Sequence, residues 1–560
     1  LGGMFSAVAG FDAVFVGSGV NSLTGAALLA RGGWSVCVLE RNDVLGGAIR
    51  TSDDLTAPGF THEVMASWHP LFAGSAAYAE LGDDLHRHGL EYLNTDLPTA
   101  TLFPDGGAAF LTTSLEDNIA EFERHAAGDG AAWSRQFEQF MATAEHSFGV
   151  LSAELWSAQG LNLARKAYGS FGRRGLLAFA GNSLISARDW LGATFESERA
   201  HGLLAPWVLH TGLGPEQAVA GFMTQVIACA IQLGGMPVPR GGGVRLVEAL
   251  AAIVREHGGE LRTGQDVERV LLAGGRASGV RLSGGDTITA SRAVIAGVTP
   301  TQLYGRLVRG EEVPSTAWES AQSFRYGRAG MQIHLALDEL PQWASPEAER
   351  LARTAMVHVT PGLDGVSRAV NEAERGLLPA EATIVVGQPC AVDPSRAPAG
   401  KSVIWIQLQE LPRRPTGDAL GEIDVGDGTW SETLREAYAD RILSRLGRQI
   451  TNLASATIER VALSPADLEA LNCNLVGGDI YSGSCALDQN LLWRPTGQLP
   501  GHATPLDGLW HIGASTHPGP GLGAGSGYLV AKQLLQPPLG RRVLERGAAT
   551  AAKLRGRLVL

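Results

Sequence analysis

AVFVGSGVNSLTGAALLARGGWSVCVLERNDVLGGAIR, residues 13–50, decides how the rest of the chain is read. Its first four residues are apolar and predict a buried strand. Gly17-Ser18-Gly19-Val20-Asn21-Ser22 follows at the point where the chain must turn into a helix. Gly17 permits the tight turn and Gly19 lets the backbone approach a pyrophosphate, whose charge then sits on the free N–H groups and positive end of that helix. A second strand over 34–39 ends in Glu40, about 20 residues past the glycines, where an acid suits a ribose hydroxyl pair and repels a 2′-phosphate. Ser22 stands at the usual third glycine and must still let the helix pack closely on the strand. Arg41 follows the acid, and Gly46-Gly47-Ala48-Ile49-Arg50 adds backbone donors and a cation placed for the diphosphate.

Working outward, 560 residues are too many for one simple core, and two domains are expected. With 45% hydrophobic and 18% charged residues the chain is globular, and a formal charge of -12 argues against a nucleic-acid partner. Cys37, Cys229, Cys390, Cys473 and Cys485 are scattered and include no C-x-x-C, which argues against a redox disulfide or zinc site; no metal is expected. The N-terminus lacks the basic region of a signal peptide and no run of about 18 apolar residues appears, so a cytoplasmic enzyme is expected.

After Arg50 the chain becomes helical. Segments 115–148 and 152–180 carry apolar residues at three- and four-residue spacing and predict surface helices over a core, while the apolar segment 218–231 predicts a core helix, a substrate-lining or membrane-contacting helix being the alternative. A helix over 244–257 leads to 260–262, 267–272 and 279–282, read as a small antiparallel ribbon. Thr299-Pro300 marks the exit from this unit. Residues 331–337 and 402–408 alternate as half-buried strands should, 382–386 is another apolar run, and 431–446 predicts an amphipathic helix. Such strands could floor a lipophilic pocket or form a plain core. Finally 509–512 predicts a strand, and the glycines after it lead into a helix reaching Leu535.

Three blocks carry a specific resemblance: residues 13–50; PRGGGVRLVEAL (239–250) with VERV (267–270) and AVIA (293–296); and GLWHIGASTHPGPGLGAGSG (508–527). Together they resemble FAD-dependent oxidoreductases of the phytoene desaturase and retinol saturase type, from end to end of the chain. The resemblance implies an α/β fold: a Rossmann-like FAD-binding domain (11–75, 238–300 and 461–540) with an inserted α+β substrate domain (76–237, mostly helical, and 301–460). It implies hydrogen transfer between FAD and a C–H or C=C group of a lipophilic isoprenoid or polyene-like substrate. FAD contacts are expected at Gly17, Ser18, Gly19, Asn21, Ser22, Glu40, Arg41, Gly46, Gly47, Arg50, Val267, Gly297, Gly513, Ala514, Gly521, Leu522 and Gly523. Many related flavoproteins have an acid where Ala514 or Ser515 stands.

His517 is the leading catalytic candidate, since a histidine beside a flavin ring could hydrogen-bond substrate or shuttle a proton; the alternative is that His517-Pro518 shapes the turn. Tyr481 and Asn472 are candidates for the same cavity, against the reading that they satisfy backbone groups. Cys485 departs from the pattern that tethers flavin in some amine oxidases, so covalent attachment is not expected. Two other readings stand beside the desaturase one: an amine or amino-acid oxidase, kept by Tyr481 and Arg494, and a flavin-bound interaction protein with little turnover. No motif specifies the electron acceptor or oligomeric state. The basic tail, 541–560, is a candidate for peripheral membrane contact, an ordinary solvated or subunit-contacting tail being the alternative.

Overall fold

The computed structural model describes residues 10–309 and 313–536, so the first nine residues and the basic tail lie outside it. Gly10–Val16 is the central strand of a seven-stranded sheet, with Val36–Leu39 on one side and Thr287–Ala296 on the other, both parallel to it. Parallel neighbours need helical crossovers, and Val20–Arg31, apolar or small on nearly every face and buried along most of its length, supplies the first. Glu260–Arg262 is a parallel edge strand beside Val36–Leu39, not part of the ribbon, which is Val267–Ala273 with Arg276–Leu282. Three residues are too few to show a pattern, and their pairing decides their place. Leu509–His511 joins in parallel beside the end of Thr287–Ala296.

The register sets Val16 level with Leu39 and with Ala296, and Ala296 level with His511. The residues that come next are Gly17, Glu40, Gly297 and the pair Ile512-Gly513. All leave the sheet at its carboxyl edge, where open α/β sheets hold ligands.

A second seven-stranded sheet runs Thr457–Leu463, Ala329–Leu337, Ser402–Leu411, Ile384–Gly387, Met356–Val359, Thr99–Leu102, Ala108–Leu111, antiparallel except between Met356–Val359 and Thr99–Leu102. Its alternating strands were expected to be half-buried, yet Ala329–Leu337 is buried at every position. Ile333, Leu335, Ile404 and Ile406 face a core closed by Tyr438, Ile442 and Leu446 of Glu432–Leu446. The opposite face, with Trp405 and Met356, meets the helical insertion and its aromatic cluster, where Phe122 stacks on Trp133 at 5.0 Å. Each such buried side chain contributes about 1.5–3 kcal/mol.

Several segments pack across the domain limits expected from the sequence. Ala77, Leu81 and Leu85 of Ala76–Arg87 pack with the helices of the first sheet, as do Leu303, Tyr304, Leu307, Ala317 and Ala321 with its other face. Thr457–Leu463 belongs to the second sheet, and Pro465–Leu471 packs against it. Apolar helices report burial but not which sheet buries them. Arg396, fully buried, donates to Glu63 at 2.7 Å, to Asp393 at 2.9 Å and to the Pro239 carbonyl, tying three distant segments together.

Candidate active site

At the carboxyl edge of the first sheet the turn after Val16 opens a cavity. Gly17 takes φ +89°, a value its position in the turn demands. Ser18 is buried; its N–H and hydroxyl donate to one Glu40 oxygen at 3.0 and 2.7 Å, and its hydroxyl accepts the Gly46 N–H at 3.1 Å. The other Glu40 oxygen accepts the Asn42 N–H at 2.9 Å. This clip fixes the acid at the strand end, and the oxygen that takes the Asn42 N–H keeps a lone pair for a further donor. No acidic residue occupies the first turn of Val20–Arg31, so its free N–H groups are left for an anion.

The cavity wall includes Gly17, Ser18, Gly19, Asn21, Ser22, Glu40, Arg41, Gly46, Gly47, Val267, Gly297, Gly513, Ala514, Gly521 and Leu522. Arg50 and Gly523 do not line it: the chain past Gly47 turns into the Thr51–Ser52 and His62–Glu63 hairpin, and Gly523 sits against Leu71. Arg306, ion-paired with Asp266 at 3.2 Å, joins Arg41 as a cation on the wall, and nothing in the sequence pattern marked it. Asn472 is on this wall, beside Cys473, with its Oδ1 accepting the Asn474 N–H. A glycine backbone at a helix start, a fixed acid at the ribose distance and two cations form a donor set that fits a dinucleotide diphosphate.

A second cavity adjoins the first. Ala48, Leu475, Ile480, Pro520, Gly521 and Leu522 line both. Its remaining wall is mainly apolar, with Met65, Trp68, Trp207, Met236, Met356 and Trp405, and carries no Asp, Glu, Lys or Arg. Ile227, Ala230 and Ile231 of Ala220–Gly234 line it too, so the expected core helix also forms cavity wall. Gln332, Gln407 and Gln409, the polar positions of the alternating strands, face this cavity instead of solvent.

Tyr481 is on the same wall, its hydroxyl donating to the Leu209 carbonyl and accepting from Gln409 at 3.0 Å. Burial pushes its phenol well above the ordinary range. His210, 3.0 Å from His358, is pushed down to about 3 by burial, so the three partners of Gln409, which are His210, Tyr481 and Gln407, are all neutral. Asp479 gathers the Gly327, Tyr481 and Gly483 N–H groups, each at 2.8 Å, and so presents Ile480 and Tyr481 to the cavities.

His517 is on neither wall. Gly513, Ala514 and Ser515 pass the first cavity, and the chain then turns inward. His517 is buried and its carbonyl accepts from His502, itself paired with Glu154. Burial, with His502 next, pushes His517 down to about 4.

Residues 23–408 match the flavin-containing amine oxidoreductases. The chain belongs to this family. As a member, it is an FAD-dependent oxidoreductase, and the donor set at the carboxyl edge is the one such a cofactor requires. Pyridine nucleotide-disulfide oxidoreductase domain-containing protein 2 of Rattus norvegicus is 27% identical to this flavoenzyme over 92% of each chain. Hydroxyneurosporene desaturase of Cereibacter sphaeroides is 28% identical, covering 93% of this chain and 97% of its own length. The resemblance to desaturases read from the sequence is thereby borne out. Cyclohexylamine oxidase from Brevibacterium oxydans shares the fold, with a TM-score of 0.57 at 14% identity over 94% of this chain and 98% of its own.

Proposed function

We propose that this flavoenzyme is a dehydrogenase or desaturase that moves a hydride between FAD and a C–H or C=C group of a lipophilic, isoprenoid or polyene-like substrate. The observation that carries this reading is the uncharged, largely apolar cavity sharing six wall residues with the nucleotide cavity. FAD, when bound, supplies the hydride acceptor or donor. Of the residues on the wall, Gly17 and Gly19 would bring the N–H groups of Val20–Arg31 to the diphosphate, Glu40 would accept from the ribose hydroxyls, and Val267 would hold the adenine end. Trp68, Trp207 and Trp405 bind the hydrocarbon and exclude water, while Tyr481 and Gln409 orient it as neutral hydrogen-bonding groups. Neither His210 nor Tyr481 titrates near neutrality, which suits hydride transfer without an obligatory acid or base. The name of the Cereibacter relative supports the same substrate class.

The amine-oxidase reading has the fold shared with cyclohexylamine oxidase on its side. Against it, the cavity wall holds no carboxylate for an ammonium group. Arg494 is fully buried and donates to the carbonyls of Ala514, Ser484 and Tyr481 and to the Cys485 sulfur, leaving no N–H for a substrate carboxylate. The test is anaerobic reduction, following the flavin visible band against polyenes, isoprenoids and amines. Bleaching by a lipophilic hydrocarbon is expected. Bleaching by amines alone would replace the proposal with the oxidase reading, and flavin that no donor reduces would favour the interaction protein.

A further inference from the structure

A third cavity, of about 1060 Å³, shares no wall residue with the other two and is large enough for an organic ligand. Arg188, Arg325, Arg328, Arg413 and Arg414 stand on its wall with two carboxylates, Glu216 and Glu374. Arg188 meets Glu216 and Asp364, each at 2.8 Å, Arg328 meets Glu374 at 2.9 Å, and Arg325 meets Asp488 at 2.7 Å. Both wall carboxylates are therefore neutralised. Arg413 and Arg414 have no ion-pair partner among the described residues, in a chain whose formal charge is -12. Arg414 donates to the Asp427 carbonyl at 3.0 Å, and the Arg413 guanidinium stands 5.8 Å from the centre of the Tyr326 ring.

Charge and burial select the ligand. Arg328 is 8% exposed; its terminal nitrogens donate to Glu374 and to the Gly212 and Leu213 carbonyls, while its buried Nε–H finds no acceptor. Buried donors are nearly always paired, so a wall that leaves one unmet is short of acceptors. A cation would be repelled by Arg413 and Arg414, and an apolar molecule would strip water from them without replacing it. Guanidinium forks fit the oxygens of phosphate and carboxylate groups. The arginines come from three separate segments, at 188, 325–328 and 413–414, so a ligand that meets them needs more than one acidic group.

The wall segment 325–328 also supports a loop of the other two cavities. The Gly327 N–H donates to Asp479 at 2.8 Å and the Ser484 N–H donates to the Arg325 carbonyl at 2.9 Å, so both ends of loop 479–484 rest on it. Between those ends Ile480 and Ser482 line the nucleotide cavity, and Ile480 and Tyr481 line the apolar one. We propose that the third cavity is an effector site for an organic polyanion, a polyphosphate or polycarboxylate, held by Arg413 and Arg414 and acting on the flavin through segment 325–328 and this loop. The site uses no feature of the proposed substrate, so it fails independently of that chemistry.

Isothermal titration calorimetry of the flavin-loaded full chain with pyrophosphate, citrate and acetate tests it, the bound flavin keeping the nucleotide cavity filled. Saturable binding of pyrophosphate or citrate is expected, at least about tenfold tighter than acetate and weakening with salt, the tighter of the two telling phosphate from carboxylate recognition. Occupancy is expected to shift the visible band of the bound flavin. Arg413→Ala with Arg414→Ala, at two exposed positions, is expected to weaken binding at least about tenfold and to abolish the shift with flavin content unchanged. Arg448→Ala, exposed and off the wall, is expected to leave both as they are. Binding of neither polyanion, acetate bound as tightly, or equal binding by the double variant would overturn the site. Saturable binding that leaves the flavin band unmoved would overturn its effector role.

Discussion

Ser22 occupies the position where a third glycine is usual, and its hydroxyl fills the space between the first helix and the end of the Thr287–Ala296 strand. A Cβ placed on Gly297 would lie 2.6 Å from that hydroxyl, so the serine is tolerated because residue 297 has no side chain. The two positions are 275 apart in number, arithmetic that no local motif can register, yet both are on the cavity wall. Gly297→Ala is expected to weaken FAD binding about tenfold or more, read as flavin content and fluorescence quenching on rebinding, and Ser22→Gly in the same chain to restore part of it. Equal flavin affinity in the single variant would show that the wall yields there. His517 gives the converse lesson: a histidine in a glycine-rich flavin signature looks catalytic, and its burial away from both cavity walls is a tertiary fact.

Among elements, the crossing of Val20–Arg31 with Gly525–Leu535 joins the two ends of the fold. Asn21 accepts from Ser526 at 2.8 Å and from the Gly527 N–H at 3.3 Å, and Ser526 also accepts the Gly513 N–H. A Cβ on Gly527 would stand 1.8 Å from the Asn21 carbonyl oxygen, a separation only glycine allows. Gly527→Ala is therefore expected to cost more than about 3 kcal/mol and to lower the melting temperature together with flavin retention. Unchanged melting would mean that the helices separate freely. The helices were legible from their periodicity, and the Ser431 cap before Glu432–Leu446 shows how local that signal is. Alternation in 331–337 and 402–408 was legible as well. Its second face meets an apolar cavity lined by Gln332 and Gln407 where a single strand suggests solvent, because a strand does not specify what covers it.

Across the molecule, seven histidines among the described residues are held neutral by burial: His62, His511 and His517 are pushed down to about 4, His69, His210 and His334 to about 3, and His358 well below its ordinary value. In the unfolded chain the same groups titrate near 6.5. The unfolded state therefore binds more protons throughout the interval between, and folding stability rises with pH there. Their contribution is complete above about pH 6.5 and is lost as the pH falls toward 4 and 3. The melting temperature is expected to drop markedly between pH 7.5 and pH 5, measured by circular dichroism at constant ionic strength. A flat profile across that interval would mean that water reaches these rings in the folded state.

The order of residue types in 13–50 was enough to establish the strand, turn, helix, strand and acid of a dinucleotide unit, because the turn and the helix start are made by neighbours in sequence. The family signature at 508–527 was equally readable, and with it the cofactor. The tertiary structure alone decided which distant segments share a wall. Parallel pairing brings Gly17, Glu40, Gly297 and Gly513 to one edge, and the packing of Ala220–Gly234 over the second sheet encloses the apolar cavity that six residues join to the nucleotide site. Local geometry follows from adjacent side chains, whereas a cavity exists only where surfaces from several elements fail to close on one another, and no single stretch of chain contains that information.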